Sequence, residues 1–253
     1  MSQPPHLTIV GHPKPSIIRN NLLRTLSAGD LALLQSRLEE VALKRSDVIA
    51  EPNKPIQHVY FPEDAIISVV ASTPDGRRIE VGIIGRDGVT GTSILHGADT
   101  TPHEIFTQVP GSALRMAADD LRTATRDSPS LHEHLLRYAE AFNVQVAYTA
   151  LSHGSYTIEE RLARWLLMCH DRLDGDDLPL VHEFLSMMLG VQRSGVTIAV
   201  QTLEGAGVIQ AKRGHIIVRD RARLEEAAGG SYGVPEAEYR RLFGQLWPCR
   251  ATT

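Results

Sequence analysis

The chain has 253 residues, of which 42% are hydrophobic and 22% charged, and its formal net charge is −4. This composition excludes wholesale disorder, and the length suffices for one large domain or, as we expect, two. No apolar run approaches the ~18 residues that a membrane span needs, and the proline-rich N-terminus lacks the pattern of a secretory signal. We therefore expect a soluble, cytoplasmic protein without a membrane partner.

Cysteine and histidine spacings argue against a metal centre. Cys169 and Cys249 form no CxxC pair and are too few for a four-thiolate cluster, so we interpret them as a buried thiol and a tail thiol. A jelly-roll metalloenzyme needs a His-x-His pair on a strand. His132 and His134 fall in a predicted helix, where residues two apart point to different faces. The sequence predicts no metal, no cofactor and no enzyme activity.

The N-terminal half begins with a proline-rich arm over residues 1–16. Ser27 then caps a predicted helix over residues 28–43, whose apolar positions are Leu31, Leu34, Leu38 and Val41. Short runs rich in valine and isoleucine, broken by Pro, Gly and Asp, follow over residues 48–116. Their spacing predicts a small antiparallel barrel or jelly roll, with one hairpin turning at Pro74–Gly76.

A long helix is predicted from Ser130 to Ser152, because no glycine or proline interrupts residues 130–153. Its length of ~34 Å exceeds what a small barrel can cover. The stripe either packs on the chain's own barrel or forms a seam with a second subunit, and we favour the seam. Gly154 is expected to end the helix as a hinge, before a capping box at Thr157 and Glu160. The stripe consists of Leu131, Leu135, Tyr138, Phe142, Val146 and Thr149.

A helix-turn-helix with a β-wing is predicted next. Its helices cover His182–Leu189 and Gln192–Glu204 around a turn at Gly190, and the wing strands cover residues 208–212 and 215–219. The apolar residues expected to hold the two helices together are Phe184, Leu185, Met188, Val191, Val196, Ile198, Val200 and Leu203.

The second of these helices carries the side chains suited to a DNA groove, namely Gln192, Arg193, Ser194, Thr197 and Gln201. Arg193 suits guanine O6 and N7, while Lys212, Arg213 and His215 on the wing suit phosphates. Residues 179–223 hold six Arg or Lys against three Asp or Glu, which indicates a local anion-binding surface. The plainer alternative is an ordinary helical hairpin with Arg193 as a solvated residue.

These residues resemble the Crp/Fnr family of bacterial transcription regulators across most of residues 20–224. The resemblance implies a homodimer joined by the long helix, a palindromic double-stranded DNA operator and RNA polymerase as a partner. Arg193 and Ser194 match base-reading positions of the family, whereas Ile198 replaces a polar or basic residue found in some members. The matching residues are Leu189, Gly190, Arg193, Val196, Val200, Leu203, Gly207 and Ile209, together with the barrel stretch 79–95.

The same resemblance identifies a candidate effector pocket and a departure within it. Members that bind cyclic AMP have a Gly-Glu pair and, about eleven residues later, an Arg-Ser pair that clamps the phosphate. Here Gly91 and Thr92 take the first pair, and Pro102 and His103 take the second. A phosphate would lose its bidentate guanidinium, so we predict that cyclic AMP is not the effector.

The predicted fold class is α+β, with an N-terminal antiparallel barrel or jelly roll, a long dimerisation helix and a C-terminal winged helix-turn-helix. The leading function is sequence-specific DNA binding, and the alternative is a small-molecule-sensing module whose C-terminal domain binds protein. The predicted parts are a flexible arm (1–18), a sensor domain (19–128), the dimerisation helix (129–153), the DNA-binding domain (154–228) and a C-terminal tail (229–253).

Overall fold

A computed structural model describes residues 8–11, 18–180 and 182–244. The fold mixes N-terminal antiparallel sheets, a long helix and a C-terminal helix-turn-helix, which confirms the predicted fold class. The described residues divide into two compact units. The first contains the chain up to Val69 together with Ile83–Phe142, and the second contains Val70–Gly82 together with the chain from Asn143 onward. Within these residues no helix is long and apolar enough to cross a membrane.

Two four-stranded sheets make up the β-structure of the N-terminal half. Their eight strands are β1 (Thr8–Gly11), β2 (Glu39–Leu43), β3 (Val48–Ala50), β4 (His58–Pro62), β5 (Ile66–Ser72), β6 (Arg78–Ile84), β7 (Glu104–Val109) and β8 (Gly111–Ala117). One sheet has the order β1-β2-β8-β4 and the other β3-β7-β5-β6. The predicted hairpin is present, since β5 and β6 are neighbours and the Thr73 N–H donates to the Arg77 carbonyl at 2.9 Å.

Two N-terminal predictions are wrong. Part of the arm is strand β1, which pairs antiparallel with β2, so residues 8–11 belong to a sheet. The helix capped by Ser27 is α2 (Ala28–Gln35), which ends before Leu38, and Val41 lies in β2. Because β2 hydrogen-bonds to both β1 and β8, tertiary pairing overrides the helical spacing of the leucines.

The long helix, α5 (Pro129–Ser155), runs on through Gly154, so the predicted hinge at that glycine is wrong. The break falls at Tyr156, directly before the capping box of the next helix at Thr157. The shorter helices before α5 are α1 (Asn21–Arg24), α3 (Thr92–Leu95) and α4 (Ala118–Asp127).

The predicted dimerisation stripe does not lie on one exposed face of α5. Leu131 and Leu135 are fully buried within the single chain and Tyr138 is 2% exposed, so none of the three offers surface to a second subunit. Thr149 is also buried, and its hydroxyl donates to the Gln145 carbonyl. Only Phe142 and Val146 keep partial exposure. The assignment of the four buried residues to a dimer seam is therefore wrong.

The second unit contains the remaining elements. They are α6 (Ile158–His170), β9 (Asp177–Leu178), α7 (His182–Leu189), α8 (Arg193–Gly205), β10 (Ile209–Lys212), β11 (His215–Val218), α9 (Arg221–Ala228), a 3-10 turn (Gly229–Ser231) and α10 (Val234–Phe243). The predicted dimerisation helix is not a separate domain, because the unit boundary divides α5 after Phe142. The described part of the predicted tail is structured, with Tyr239 and Phe243 buried on α10.

A close approach between Gly88 and Tyr138 generates a test of the first unit. A methyl group on Gly88 would lie 2.0 Å from the Tyr138 hydroxyl, which is nearer than any real contact. We expect Gly88→Ala to lower the free energy of unfolding by about 1–3 kcal/mol, the usual cost of overpacking. Urea denaturation measures this change. Gly29→Ala on α2 is the matched control and should be neutral or stabilising, since that methyl meets no tight contact; equal losses in both variants would contradict the packing argument.

Candidate nucleic-acid interface

Helix α6 is the central helix of the second unit, and other helices pack on it. Its start is fixed by the predicted capping box, in which the Glu160 N–H donates to the Thr157 hydroxyl at 3.3 Å and the Thr157 N–H donates to Glu160 at 2.7 Å. All residues from Leu162 to His170 are buried. A helix buried on every side must be covered by other elements all round, and α7, α8 and α9 all pack against it.

The turn between α7 and α8 depends on Gly190. Its φ is +61°, a left-handed conformation that favours glycine, and an added Cβ would lie 2.9 Å from Ile79 Cδ1. The α7 bounds match the prediction, and α8 begins one residue later than predicted, with Gln192 as its N-cap. The predicted core residues that are buried here are Leu185, Met188, Val196, Val200 and Leu203.

Three of the predicted helix-packing residues differ in the structure. Phe184 and Val191 are only partly buried. Ile198 is 58% exposed, so its prediction as a core residue is wrong. Each helical residue advances about 100° around the axis, which turns Ile198 some 200° away from the buried Val196 and Val200. Ile198 therefore lies on the outer face of α8.

That outer face carries every DNA-contact residue predicted for the helix. Gln192, Arg193, Ser194, Thr197 and Gln201 are all exposed. Positions 193, 194, 197 and 201 lie on one side of α8, opposite its buried residues. The Gln192 side chain makes no capping hydrogen bond, and the Thr197 hydroxyl donates to the Arg193 carbonyl at 3.0 Å. The helix thus presents a continuous exposed surface beside the Gly190 turn.

The wing is a three-stranded antiparallel sheet in the order β10-β11-β9, one strand more than predicted. Lys212 and Arg213 are exposed at the tip of this sheet, where Lys212 of β10 lies opposite His215 of β11 in the strand register. His215 is exposed too, but its Nδ1 lies 2.8 Å from an Asp177 carboxylate oxygen. The Ala211 N–H donates to Glu204 at 2.9 Å, which ties the wing to the end of α8.

Part of the predicted basic surface is used inside the unit. Arg221 contacts the fully buried Asp171 at 2.7 Å and donates to the Tyr232 hydroxyl, which in turn donates to Asp171 at 2.7 Å. Burial raises the pKa of Asp171 to about 6, because desolvation outweighs the attraction of Arg221. Arg219 donates to the Gln210 side chain. Arg221 is therefore withdrawn from the anion-binding surface, whereas Arg193, Lys212, Arg213, Arg219 and Arg223 remain exposed.

Sequence reasoning missed this cluster because its members lie far apart in the chain. The same cluster holds the C-terminal elements on α6, since Arg221 begins α9 and Tyr232 precedes α10. The Arg164 guanidinium, also buried, donates to the Ser231 carbonyl at 3.0 Å. No local pattern signals a pair such as Asp171 and Arg221, fifty positions apart.

Two of the candidate effector positions lie at the start of α3 in the first unit, and the other two directly precede β7. Gly91 has a φ of +76° and precedes α3, which begins at Thr92. Pro102 is exposed, and the His103 ring lies 3.1 Å from the Thr101 hydroxyl. Burial lowers the pKa of His103, which favours its neutral form. These four positions therefore supply no fixed positive charge.

Arg86 and Arg115 of the first unit carry the charge that could replace the missing guanidinium, but neither is placed as a free cation of the pocket. Arg115 donates to Glu39 at 2.7 Å and is thus already neutralised by a carboxylate. Arg86 is only 4% exposed. In residues 18–180 and 182–244, no group of three or more His, Cys, Asp or Glu is placed to hold a metal ion. His132 and His134 contact the Leu95 carbonyl and the Thr25 hydroxyl respectively, which agrees with their predicted orientation toward different faces.

A small cleft opens beside α6 in the second unit. Its lining includes His153, whose Nδ1 lies 3.2 Å from the Arg161 guanidinium. Burial, together with Arg161 and Arg164, lowers the pKa of His153 to about 4. The Trp165 indole closes one side by donating to Glu80 at 2.7 Å.

Comparison with known protein families agrees with this geometry. Residues 160–227 match the model of the Crp-like helix-turn-helix domain, and residues 40–128 match that of the cyclic nucleotide-binding domain. The chain belongs to the Crp/Fnr family. It is accordingly a DNA-binding transcription regulator, and residues 182–219 hold the family's helix-turn-helix and wing.

Relatives of this Crp/Fnr protein are distant in sequence but similar in fold. A CRP-like cAMP-activated global transcriptional regulator from Mycobacterium tuberculosis is 23% identical over 84% of this chain and 98% of its own. FixK2 from Bradyrhizobium japonicum is 20% identical, with a TM-score of 0.67 over 76% of this chain and 98% of its own. The c-di-GMP responsive regulator CLP of Xanthomonas campestris is 16% identical, with a TM-score of 0.60 over 76% and 99%.

The buried His153 generates a pH prediction for this regulator. Its folded pKa of about 4 lies below the unfolded value of 6.5, so unfolded chains bind the extra proton between these values. Stability from this group is therefore present above pH 6.5 and is lost as pH falls toward 4. We expect His153→Gln to reduce the loss of unfolding free energy between pH 7 and pH 5 by on the order of 1 kcal/mol, after discounting for partial exposure. Urea titrations at both pH values measure it.

His96→Gln is the matched control, because His96 is exposed. This variant should lose as much stability between pH 7 and pH 5 as the wild type does. A full wild-type loss in the His153→Gln variant would contradict the assignment.

Proposed function

We propose that this Crp/Fnr regulator is a homodimer that binds a palindromic operator in double-stranded DNA, with one α8 helix in each half-site. The observation that carries the proposal is the division of α8 into two faces. Val196, Ala199, Val200 and Leu203 are buried, while all the predicted DNA-contact residues are exposed on the opposite side. A helix held in this way can enter a major groove without exposing its core.

Each exposed group has a chemical role in this proposal. Arg193, in the first turn of α8, has the fork geometry for guanine O6 and N7. Gln192, Ser194 and Gln201 add polar groups along the same side. Lys212 and Arg213 at the wing tip are suited to phosphates, which fix the register of the protein on the duplex. His215 plays a smaller part, since Asp177 already occupies its Nδ1.

A protein target for the C-terminal domain, the alternative function, is not favoured by the match to a DNA-binding domain of the Crp type. Regulation of transcription also requires that the bound dimer recruit or obstruct RNA polymerase, which is therefore the proposed protein partner. A regulator of bacterial chromosomal DNA works where that DNA is, so we expect it in the cytoplasm.

We propose that cyclic AMP is not the effector of this regulator. The site is also compatible with regulation that requires no small molecule. A cyclic phosphate needs a charge-assisted partner in its pocket. Pro102 and the neutral His103 cannot supply one, and Arg115 is paired with Glu39. Two of the relatives named above are described as responsive to different cyclic nucleotides, so ligand identity does not follow from the fold.

DNA selection from a random library at ~0.15 M salt tests the function, because phosphate contacts make affinity strongly salt-dependent. We expect a palindromic site to be enriched equally with and without cyclic AMP. Arg193→Ala should weaken binding to that site by about 1–3 kcal/mol per half-site and relax the preference for one guanine. Fluorescence anisotropy with the selected duplex measures the affinity.

Two further variants separate base reading from phosphate binding. Lys212→Ala with Arg213→Ala should weaken binding to all sequences and reduce the salt slope by about 0.9 for each lost phosphate contact. Arg241→Ala is the matched control, because this exposed arginine on α10 pairs with Glu238. Enrichment only with cyclic AMP would refute the effector proposal, and the absence of any enriched site would refute the DNA-binding proposal.

The proposed dimer seam is the exposed face of α5 within the second unit. Asn143, Ala147, Ala150, Leu151 and Gly154 are all exposed there, at spacings of four, three, one and three residues. Leu151 is 45% exposed, and its neighbours are small enough for two helices to approach closely. Phe142 and Val146, which are partly exposed, flank this face.

Leu151→Glu tests the seam, because it places a charge at the centre of the proposed interface. We expect the variant to sediment as a monomer at concentrations where the wild type is a dimer, and to lose affinity for the palindrome. Leu33→Glu is the control, since Leu33 on α2 is 40% exposed and lies outside the seam. A dimeric Leu151→Glu protein, with unchanged association constant in sedimentation equilibrium, would exclude this face.

A further inference from the structure

Ile198 is the most exposed large hydrophobic residue in the described part of the chain. It is 58% exposed, whereas Leu33, Val48, Leu151 and Val234 range from 38% to 46%. It lies in the middle of α8, one turn after Ser194, on the face that we propose to enter the major groove. Packing within α8 does not explain why a bulky aliphatic side chain is exposed to solvent at this position.

The residues beside Ile198 make this part of α8 more apolar than the sequence indicates. The Thr197 hydroxyl donates to the Arg193 carbonyl, and the Thr202 hydroxyl donates to the Ile198 carbonyl, both at 3.0 Å. Both threonines are exposed, yet their hydroxyls are turned back to the helix backbone. Neither threonine hydroxyl is therefore directed outward beside Ile198, and the exposed polar neighbours on this face are Ser194 and Gln201.

Only one base presents a methyl group in the major groove. Thymine carries it at C5, and apolar side chains contact it there, whereas cytosine offers an amino donor and the purines offer polar edges. A side chain without donors or acceptors cannot distinguish the polar edges by hydrogen bonding. It can distinguish thymine from cytosine by burying the methyl group.

We propose that Ile198, flanked by Thr197 and Thr202, reads one thymine in each half-site through the thymine C5-methyl group. This inference rests on the proposed function, because it requires α8 to lie in the major groove. Arg193 and Ser194 precede Ile198 by one helical turn, so the thymine lies next to the bases that these residues contact. Ile198 is thus a specificity-determining residue of this chain, at a position where hydrogen bonding is replaced by methyl contact.

Replacing thymine by deoxyuridine tests the proposal directly, because it removes the methyl group and keeps every hydrogen-bonding atom. With the selected operator, we expect one thymine position per half-site at which this replacement weakens binding about fourfold, the effect of one buried methyl group. Ile198→Ala should bind the thymine operator about as weakly as wild type binds the deoxyuridine operator. It should also no longer distinguish the two duplexes.

Two controls keep the result specific. The salt slope of Ile198→Ala should equal that of the wild type, because no phosphate contact is removed. Val234→Ala, at another exposed aliphatic residue on α10, should retain the full thymine preference. Ile198→Arg provides a gain-of-specificity test, in which library selection should replace thymine by guanine at the same position.

The outcomes separate this inference from the function on which it rests. Operator binding that is insensitive to deoxyuridine at every position, or a thymine preference that survives in Ile198→Ala, overturns the role of Ile198 and leaves the DNA-binding proposal standing. Failure of the wild type to bind any operator overturns both. Circular dichroism of Ile198→Ala should show an unchanged melting temperature, since the side chain is exposed.

Discussion

The burial of α6 on every face is the constraint on which the second unit depends. This helix carries Arg164 and His170 among its buried residues and ends at the buried Asp171, and charged groups can be buried only if they find partners. The partners come from the elements that cover the helix, with Arg221 of α9 contacting Asp171 and the Ser231 carbonyl accepting from Arg164. Removing one partner would leave an uncompensated charge in the interior, which costs far more than the contact itself contributes. The packing of the second unit around α6 is therefore specified by these polar pairs as well as by the burial of apolar side chains.

The position of α8 is set by its packing on α6. Gly195 lets α8 approach α6 closely, since an added methyl group would lie 3.2 Å from Ile158. Gly190 sets the turn in a conformation open to few other residues. With one side of α8 fixed by these contacts, its other side can carry any chemistry without loss of core packing. The exposed isoleucine at position 198 illustrates this freedom, because it is an apolar residue that takes no part in the core.

The sequence predicts best what local patterns determine. The helices of the DNA-binding motif, the capping box at Thr157 and the exposed reading face all follow from periodicity and cap residues within one or two turns. Strand β2 was missed because its pairing partners lie in β1 and β8, more than 20 residues away on either side. The Asp171–Arg221 pair is hidden for the same reason. Ile198 differs, because the 3.6-residue period alone places it opposite the buried Val196. Counting positions around the helix would have predicted that Ile198 is exposed.

The internal use of basic residues shapes how this acidic protein can bind DNA. Arg221 is engaged with Asp171 within the unit, so Lys212, Arg213, Arg219 and Arg223 are the exposed cations of the run that begins at the wing. Few phosphate contacts mean a modest non-specific affinity, because counterion release grows with each contact. A chain of net charge −4 adds no long-range attraction to compensate. Occupancy of an operator must then depend mainly on contacts to bases, which gives the chemistry of the α8 face, including its methyl groups, a large share of both affinity and specificity.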